Sequence, residues 1–180
     1  MNTKEKAINE IKDFLKSDKK CMLVTGTHQF KKHVLVMAVL DNYYKNARIL
    51  FRTNGVSNAF DNRNILGQFE KKVHRAGEYF KINNNYYCVD SFCREDTWWK
   101  SNDYDFAIVY PLDAITRKDV KLECIKELFE HKNINKIFLI SWTDHKKDDI
   151  SLYDEFVDYK TIYDVEDEDA AYHKRVLNLQ

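Results

Sequence analysis

The chain has 180 residues, of which 44% are apolar and 32% charged, and its 29 basic and 29 acidic side chains leave no net charge. This composition is typical of a globular domain, and it excludes wholesale disorder and a membrane-spanning run of about 20 apolar residues. The first residues lack a signal-peptide core, so we expect a cytoplasmic protein with no membrane partner and a single domain over residues 1–180.

The first part of the chain alternates helix and strand patterns. Apolar residues at helical spacing predict an amphipathic helix over Thr3–Lys16, and a short apolar run predicts a strand over Cys21–Thr25. A helix over Gln29–Lys45 and a strand over Arg48–Thr53 follow. This alternation is typical of strands that pair in parallel, with helices as the connections between them.

Residues 55–104 form an insertion in this alternation. A helix is predicted over Asn64–Val73. The apolar runs Tyr79–Ile82 and Tyr86–Val89 flank three asparagines, which predicts a β-hairpin because asparagine tolerates left-handed turn conformations.

The last part of the chain restores the alternation. The predicted elements are a buried strand over Phe106–Tyr110, a helix over Thr116–Lys132, a strand over Lys136–Ser141, an edge strand within Phe156–Val165 and a final helix within 167–179. The whole pattern predicts a three-layer α/β fold: a mostly parallel sheet, helices on both faces and a hairpin-containing insertion. Ligands of such folds bind at the carboxyl edge of the strands.

A glycine turn connects the first strand to the next helix. A phosphate loop reads glycine, four residues, glycine-lysine and then serine or threonine. Gly26 and Lys32 fit this pattern, whereas Lys31 replaces the second glycine and His33 replaces the hydroxyl that binds magnesium. The predicted phosphate-binding residues are therefore Gly26, Thr27, Lys31, Lys32 and His33.

The order of elements over about residues 20–165 resembles the P-loop NTPases that have an extra strand beside the phosphate loop, the ASCE division with its AAA and RecA-like groups. The resemblance implies a nucleotide with Mg²⁺ as ligand, Phe106–Tyr110 as the Walker B strand and Lys136–Ser141 as the sensor strand. That family has an acid at the end of the Walker B strand. Here Tyr110 stands there, and Asp113 follows three residues later.

The resemblance makes Asp113 and Asp144 the candidate magnesium ligands, and Ser141 or Asp144 the candidate sensor. The missing second glycine, the missing hydroxyl and the displaced acid favour a small binding or regulatory protein without efficient nucleotide hydrolysis. An active nucleotide-dependent P-loop enzyme, with Lys32 on the phosphates, is the first alternative. The residues alone identify no cofactor, and a nucleotide with Mg²⁺ is the candidate.

A metal-dependent nuclease of the PD-(D/E)xK type is the second alternative. Such a site needs an acid, then acid-x-lysine on a neighbouring strand, to hold a metal and polarise water. Asp158 and Lys160 provide the acid-x-lysine pair, and Asp149 lies upstream of them. The chain contains seven acid-x-lysine matches, so the pattern alone does not select this one.

An aromatic and basic group in the insertion is the candidate partner-binding surface. It consists of Arg94, Trp98, Trp99 and Lys100. Such residues stack on bases or anchor a protein partner, while burial of both tryptophans in the core is the structural alternative. Residues 1–100 carry 18 basic and 11 acidic side chains, 18 − 11 = +7, which the remaining 80 residues balance at −7. We expect a protein partner, with nucleic acid as the alternative.

Overall fold

The computed structural model describes residues 2–117, 122–143 and 149–179. The strands in these ranges are β1 (Cys21–Thr25), β2 (Arg48–Thr53), β3 (Phe80–Ile82), β4 (Asn85–Ser91), β5 (Asp103–Val109), β6 (Asn133–Ile140) and β7 (Tyr159–Ile162). The α-helices are α1 (Lys4–Lys16), α2 (Lys32–Tyr43), α3 (Val56–Asp61), α4 (Asp113–Arg117), α5 (Glu123–Glu130) and α6 (Ala170–Leu179). Two 3₁₀ segments cover Glu95–Lys100 and Ile150–Phe156.

The described strands form one sheet in the order β3-β4-β2-β5-β6-β1-β7. Every neighbouring pair is parallel except β3 and β4, which form the predicted hairpin. Asn83 has a φ of 50° in the turn between them, as its tolerance of the left-handed region allows. The edge strand was also predicted correctly: among the described strands, β7 pairs with β1 alone.

Helices cover both faces of the sheet, which confirms the three-layer α/β fold. Apolar residues of α1, α2 and α3 fill one core with one face of the strands, whereas α4, α5 and the two 3₁₀ segments fill the other. Helix α1 begins where the sequence indicates, because Thr3 Oγ1 accepts a hydrogen bond from the Lys6 amide at 3.1 Å. No helix in the described ranges is long and apolar enough to cross a membrane.

The helix predicted over Asn64–Val73 is wrong; this segment forms turns. The Asn62 side chain accepts a hydrogen bond from the Asn64 amide at 2.8 Å, and the Asn62 carbonyl accepts from Ile65 and Gly67. Short polar side chains that bond to nearby backbone groups compete with helical hydrogen bonds. A Cβ at position 67 would also overlap the Phe60 carbonyl, so the packing requires a glycine here.

Other elements differ in their bounds or type; β5 and β6 each begin three residues before the predicted strands and end one residue before them. Helix α2 begins at Lys32 rather than Gln29, because the preceding residues form the glycine turn. The helix predicted over Thr116–Lys132 contains the end of α4 and all of α5, with residues 118–121 outside the described ranges. Trp98 and Trp99 lie in a 3₁₀ segment, where the sequence predicted no regular element.

Candidate functional site

The glycine turn lies at the carboxyl end of β1, one strand in from the edge of the sheet. Gly26 has a φ of +120°, and a Cβ there would overlap the backbone of Tyr163. Only glycine fits such a position without strain. Gly26 therefore permits the close approach of the turn to the chain that follows β7.

Lys32, the predicted phosphate-binding lysine, is completely buried at the start of α2. Its Nζ donates hydrogen bonds to the carbonyl oxygens of Gly26 and Trp142, the latter at 3.0 Å. The ammonium group is thus held between the loop and the segment after β6. Lys31, by contrast, is exposed and reaches Glu168 at 3.3 Å.

The loop presents backbone donors beside this lysine. Within the described ranges, no acceptor is found for the amides of Gln29, Phe30 and Lys31. They precede the twelve-residue helix α2, whose N-terminal end carries partial positive charge. Amides of this kind, together with a lysine, are the groups that surround a phosphate in a phosphate loop.

The chain after β7 braces the outer side of the loop, which the sequence did not indicate. The Asp164 carboxylate accepts hydrogen bonds from the Thr27 amide at 2.8 Å and from the Thr27 hydroxyl at 3.1 Å. Burial opposes ionisation of Asp164, but these bonds and one from Asn2 lower its pKa. His173 Nδ1 lies 2.8 Å from the same hydroxyl. Thr27, predicted to bind phosphate, is therefore held by this segment.

Glu168 ties the loop to the same C-terminal segment. Its carboxylate accepts a hydrogen bond from the Tyr163 hydroxyl at 2.7 Å and lies 3.3 Å from both His28 and Lys31. Hydrogen bonds lower the pKa of Glu168 to about 2, although its partial burial acts in the opposite direction. The bond from the Tyr163 hydroxyl has the largest effect, and those from His28 and Lys31 add to it. Glu168 consequently remains ionised at neutral pH and places negative charge beside the loop.

His33 and Tyr110, which stand where the resemblance would place two magnesium ligands, form a pair of stacked rings. His33 and Tyr110 lie with ring centroids 4.1 Å apart and planes inclined by 26°, and His33 also meets Phe51 edge-on at 6.3 Å. Burial lowers the pKa of His33 to about 3 and raises that of Tyr110, so both rings are neutral at pH 7. Magnesium prefers oxygen ligands, above all carboxylates, and these two residues do not fit it.

Asp113, the displaced acid, is also buried near the loop. It accepts hydrogen bonds from the backbone amides of Trp142 and Thr143, the second at 3.1 Å. Asp113 and Lys32 therefore hold the same segment, one through the Trp142 amide and the other through its carbonyl. Asp144, the other candidate magnesium ligand and sensor, lies outside the described residues. The sensor candidate Ser141 is buried, with its hydroxyl 3.3 Å from the Val24 carbonyl.

The four partner-binding candidates do not share one surface role. Trp98 is buried and donates a hydrogen bond from its indole N–H to the Ser91 carbonyl at 2.8 Å. Arg94 pairs with the neighbouring Asp96, and the side chain of Lys100 lies over Gly77. Trp99 is 68% exposed and remains the candidate for partner contact. It borders a groove of about 410 Å³ whose charged lining is mainly glutamate.

The three nuclease candidates have separate structural roles. Asp158 accepts hydrogen bonds from the amides of Lys20 and Cys21 at the amino end of β1, opposite the loop. Lys160 pairs with Asp154 on the surface at 2.8 Å, and Asp149 caps the 3₁₀ segment that follows it. In the part of the chain that the structure describes, no three His, Cys, Asp or Glu side chains form a group able to hold a metal ion.

A buried charge network that sequence reasoning missed lies under the same edge of the sheet. Arg52 forms two hydrogen bonds with Asp90, at 2.8 and 2.6 Å, and one with Glu127 at 2.8 Å. Lys132 lies 3.2 Å from Glu127 and donates to the carbonyls of Trp98 and Ser101. Arg52 directly follows the apolar run 49–51 of β2, and a charged residue at this position was the available signal.

Strand order and loop together match the P-loop-like α/β arrangement that the resemblance implied. β1 lies between β6 and β7, and β6 separates it from β5, so the sensor strand stands beside the loop strand as the resemblance implied. Within this fold, Lys32 and Asp113 meet at Trp142, and His33 stacks on Tyr110.

Comparison with solved structures agrees with this fold. The large terminase from a thermophilic bacteriophage matches with a TM-score of 0.58 over 96% of this chain and 48% of the terminase, at 12% identity. The same terminase in complex with ADP matches with a TM-score of 0.57 over 93% and 46%, also at 12% identity. This chain spans about half the length of the terminase, and the likeness is one of fold. No protein-family model and no curated protein matches the chain.

Proposed function

We propose that this protein binds the phosphates of a nucleotide at the Gly26–Lys32 loop and acts as a binding or regulatory module without metal-assisted hydrolysis. The stack of His33 on Tyr110 carries the proposal. Hydrolysis in P-loop proteins relies on a magnesium ion between the nucleotide and the hydroxyl and carboxylate of the protein. Two neutral, buried rings at those positions leave the loop able to bind an anion but poorly able to hold the metal.

Three observations support phosphate binding. The loop follows β1 and precedes α2 as a phosphate loop does, with Lys32 at the position of the lysine in that pattern. The amides of Gln29, Phe30 and Lys31 have no acceptor within the described ranges. A terminase of the same fold has been solved with ADP bound.

Phosphate binding would change the contacts of Lys32. A phosphate at the loop competes with the Gly26 and Trp142 carbonyls for the ammonium protons, and a charge-assisted bond to phosphate is stronger than one to a neutral carbonyl. When the lysine turns toward the phosphate, the segment after β6 loses the hydrogen bond between Lys32 and the Trp142 carbonyl. A nucleotide therefore alters the position of Trp142, which gives the site a means of signalling occupancy.

A thermal-shift titration with ADP and ATP tests the proposal. We expect nucleotide at about 100 times its Kd to stabilise the protein by about 2.7 kcal/mol, or about 5–10 °C in Tm, without release of phosphate. Lys32→Met keeps the aliphatic stem and should abolish this shift. Lys16→Met is the matched control, because that lysine is exposed at the end of α1, outside the loop.

The same titration separates the alternatives. Magnesium-dependent phosphate release that Lys32→Met removes would establish the active P-loop enzyme instead. The absence of any shift at millimolar nucleotide would refute phosphate binding and leave only a protein-interaction role. The shift is compared within each variant, with and without ligand, so a change in the Tm of the unliganded variant does not affect the conclusion.

A further inference from the structure

A second cavity lies beside the loop; it shares Phe30 with the loop, but its uncharged lining differs in chemistry from the phosphate site. It has a volume of about 220 Å³ at the carboxyl edge of the sheet, between the ends of β2, β5 and β6. Its lining consists of Phe30, Asn54, Asn58, Asn62, Asn64, Ile65, Tyr110, Pro111 and Trp142. Aromatic rings and four amide side chains line the cavity, and none of these residues carries a formal charge at pH 7.

The amide groups retain unused hydrogen-bonding capacity. Asn54 Oδ1 accepts a hydrogen bond from Asn58 Nδ2 at 3.2 Å, and Asn62 Oδ1 accepts one from the backbone N–H of Asn64 at 2.8 Å. Among the described residues, Asn54 Nδ2, Asn62 Nδ2 and the whole side-chain amide of Asn64 have no partner. Each asparagine amide offers both donors and an acceptor. The cavity thus presents both kinds of hydrogen-bonding group.

The aromatic wall is partly open. Phe30 is 37% exposed and contacts Trp142 with ring centroids 6.0 Å apart and planes inclined by 55°. Since these two rings already touch, a ligand stacks on the free face of one of them rather than between them. The volume is below the range of about 300–1,000 Å³ that accommodates drug-sized ligands, so the cavity admits one ring system and not a complete nucleotide.

We propose that this cavity is a nucleobase subsite. A base is planar and uncharged, has a π-face for Phe30 or Trp142, and carries donors and acceptors at its edge for the asparagine amides. Phe30 adjoins the two loop lysines, so phosphate attached to a base in the cavity lies toward the loop. The base belongs either to a free nucleotide or to a single strand of nucleic acid. The proposal rests on the proposed function only if the base belongs to a free nucleotide.

The contacts of Trp142 make the cavity sensitive to the loop. Its carbonyl accepts a hydrogen bond from Lys32, and its amide donates to Asp113. Its indole lines the cavity. Occupation of the cavity therefore changes the surroundings of a fluorescent side chain.

Fluorescence titration with nucleosides tests the proposal without phosphate. We expect saturable quenching at millimolar nucleoside, with Trp142→Phe removing the signal. Phe30→Ala should weaken binding by about 5- to 150-fold, the range measured for loss of one aromatic–base stack. Phe69→Ala, which removes an equally exposed phenylalanine elsewhere, should leave the affinity unchanged. Asn64→Ala should also weaken binding, and its exposed side chain has no structural bond in the described ranges.

Two further titrations distinguish a free nucleotide from a nucleic-acid strand as the source of the base. A mononucleotide that binds more tightly than its nucleoside, through Lys32, identifies a free nucleotide. A single-stranded oligonucleotide that binds more tightly than the nucleoside and is insensitive to Lys32→Met identifies a nucleic-acid strand. Failure of nucleosides, nucleotides and oligonucleotides alike to quench Trp142 would overturn the subsite, as would equal quenching by a monosaccharide. Phosphate binding measured by thermal shift is unaffected by either result.

Discussion

His33 is the residue that most changes the chemistry of the loop. A hydroxyl at this position would face the phosphates, whereas the His33 imidazole packs into an aromatic core against Tyr110 and Phe51. Burial outweighs the interaction with the Ile65 backbone and lowers the pKa of His33 to about 3 from the ordinary 6.5. The ring is therefore an apolar packing element at neutral pH.

This shift predicts a pH-dependent stability. Between pH 6.5 and 3 the unfolded chain binds a proton at His33 that the folded protein does not, so the free energy of unfolding falls as the pH is lowered. The contribution is at most about 1.4 kcal/mol per pH unit. Denaturant unfolding between pH 7 and 5 should show a smaller slope for His33→Leu. Equal slopes in the wild-type and His33→Leu proteins would contradict the assignment.

Gly26 provides a second test at the residue scale. Gly26→Ala places a side chain at a φ of +120° and against the Tyr163 backbone, so we expect a loss of at least about 2 kcal/mol in unfolding free energy. Gly55→Ala is the matched control, because the nearest atom to its Cβ would be 3.7 Å away. Chemical denaturation measures both. A Gly26→Ala protein as stable as Gly55→Ala would show that the loop is not held as described.

At the scale of elements, the buried charge network fixes how α5 packs on β2 and β4. Burial alone would lower the pKa of Arg52, but the carboxylates of Asp90 and Glu127 more than offset it and raise the pKa. Asp90 Oδ1 and Oδ2 both bind this one guanidinium. Removal of Arg52 therefore leaves a buried carboxylate without its main partner.

We expect Arg52→Met to lower the free energy of unfolding by about 3–5 kcal/mol, the usual cost of breaking a buried ion pair on one side. Arg48→Met, on the same strand but exposed, should change it by less than about 0.5 kcal/mol. Urea unfolding of both variants measures the difference. A loss below about 1 kcal/mol for Arg52→Met would mean that the network does not determine this packing.

Helices and strands could be predicted from the sequence where the spacing of apolar residues was clear. The strands 21–25, 48–53 and 106–110 and the asparagine hairpin were predicted because apolar runs and turn residues act locally. The helix predicted over residues 64–73 does not form, because the Asn62 carbonyl accepts turn hydrogen bonds and Gly67 packs against the Phe60 backbone. The network of Arg52 could not be predicted, because its partners Asp90 and Glu127 lie 38 and 75 residues away along the chain.

At the scale of the whole molecule, opposite charges of the two halves meet in ion pairs. Lys31 pairs with Glu168 beside the loop, and Arg52 pairs with Glu127 in the buried network, so each pair joins the basic first part to the acidic second part. The asymmetry along the sequence is thus partly neutralised across the fold. The glycine turn after β1 was predicted from the sequence and its phosphate-binding role remains a prediction, while the brace from residues 163–173 depends on tertiary packing that no local pattern reports.

The most direct test of the account is the dependence of ADP affinity on magnesium. Isothermal titration of the wild-type protein with ADP, in excess Mg²⁺ and in EDTA, compares the two Kd values. Because His33 and Tyr110 supply no suitable magnesium ligand, we predict that the values agree within about threefold and that Lys32→Met abolishes binding in both buffers. An affinity at least about tenfold tighter with magnesium would contradict the account and point to a metal-dependent P-loop site.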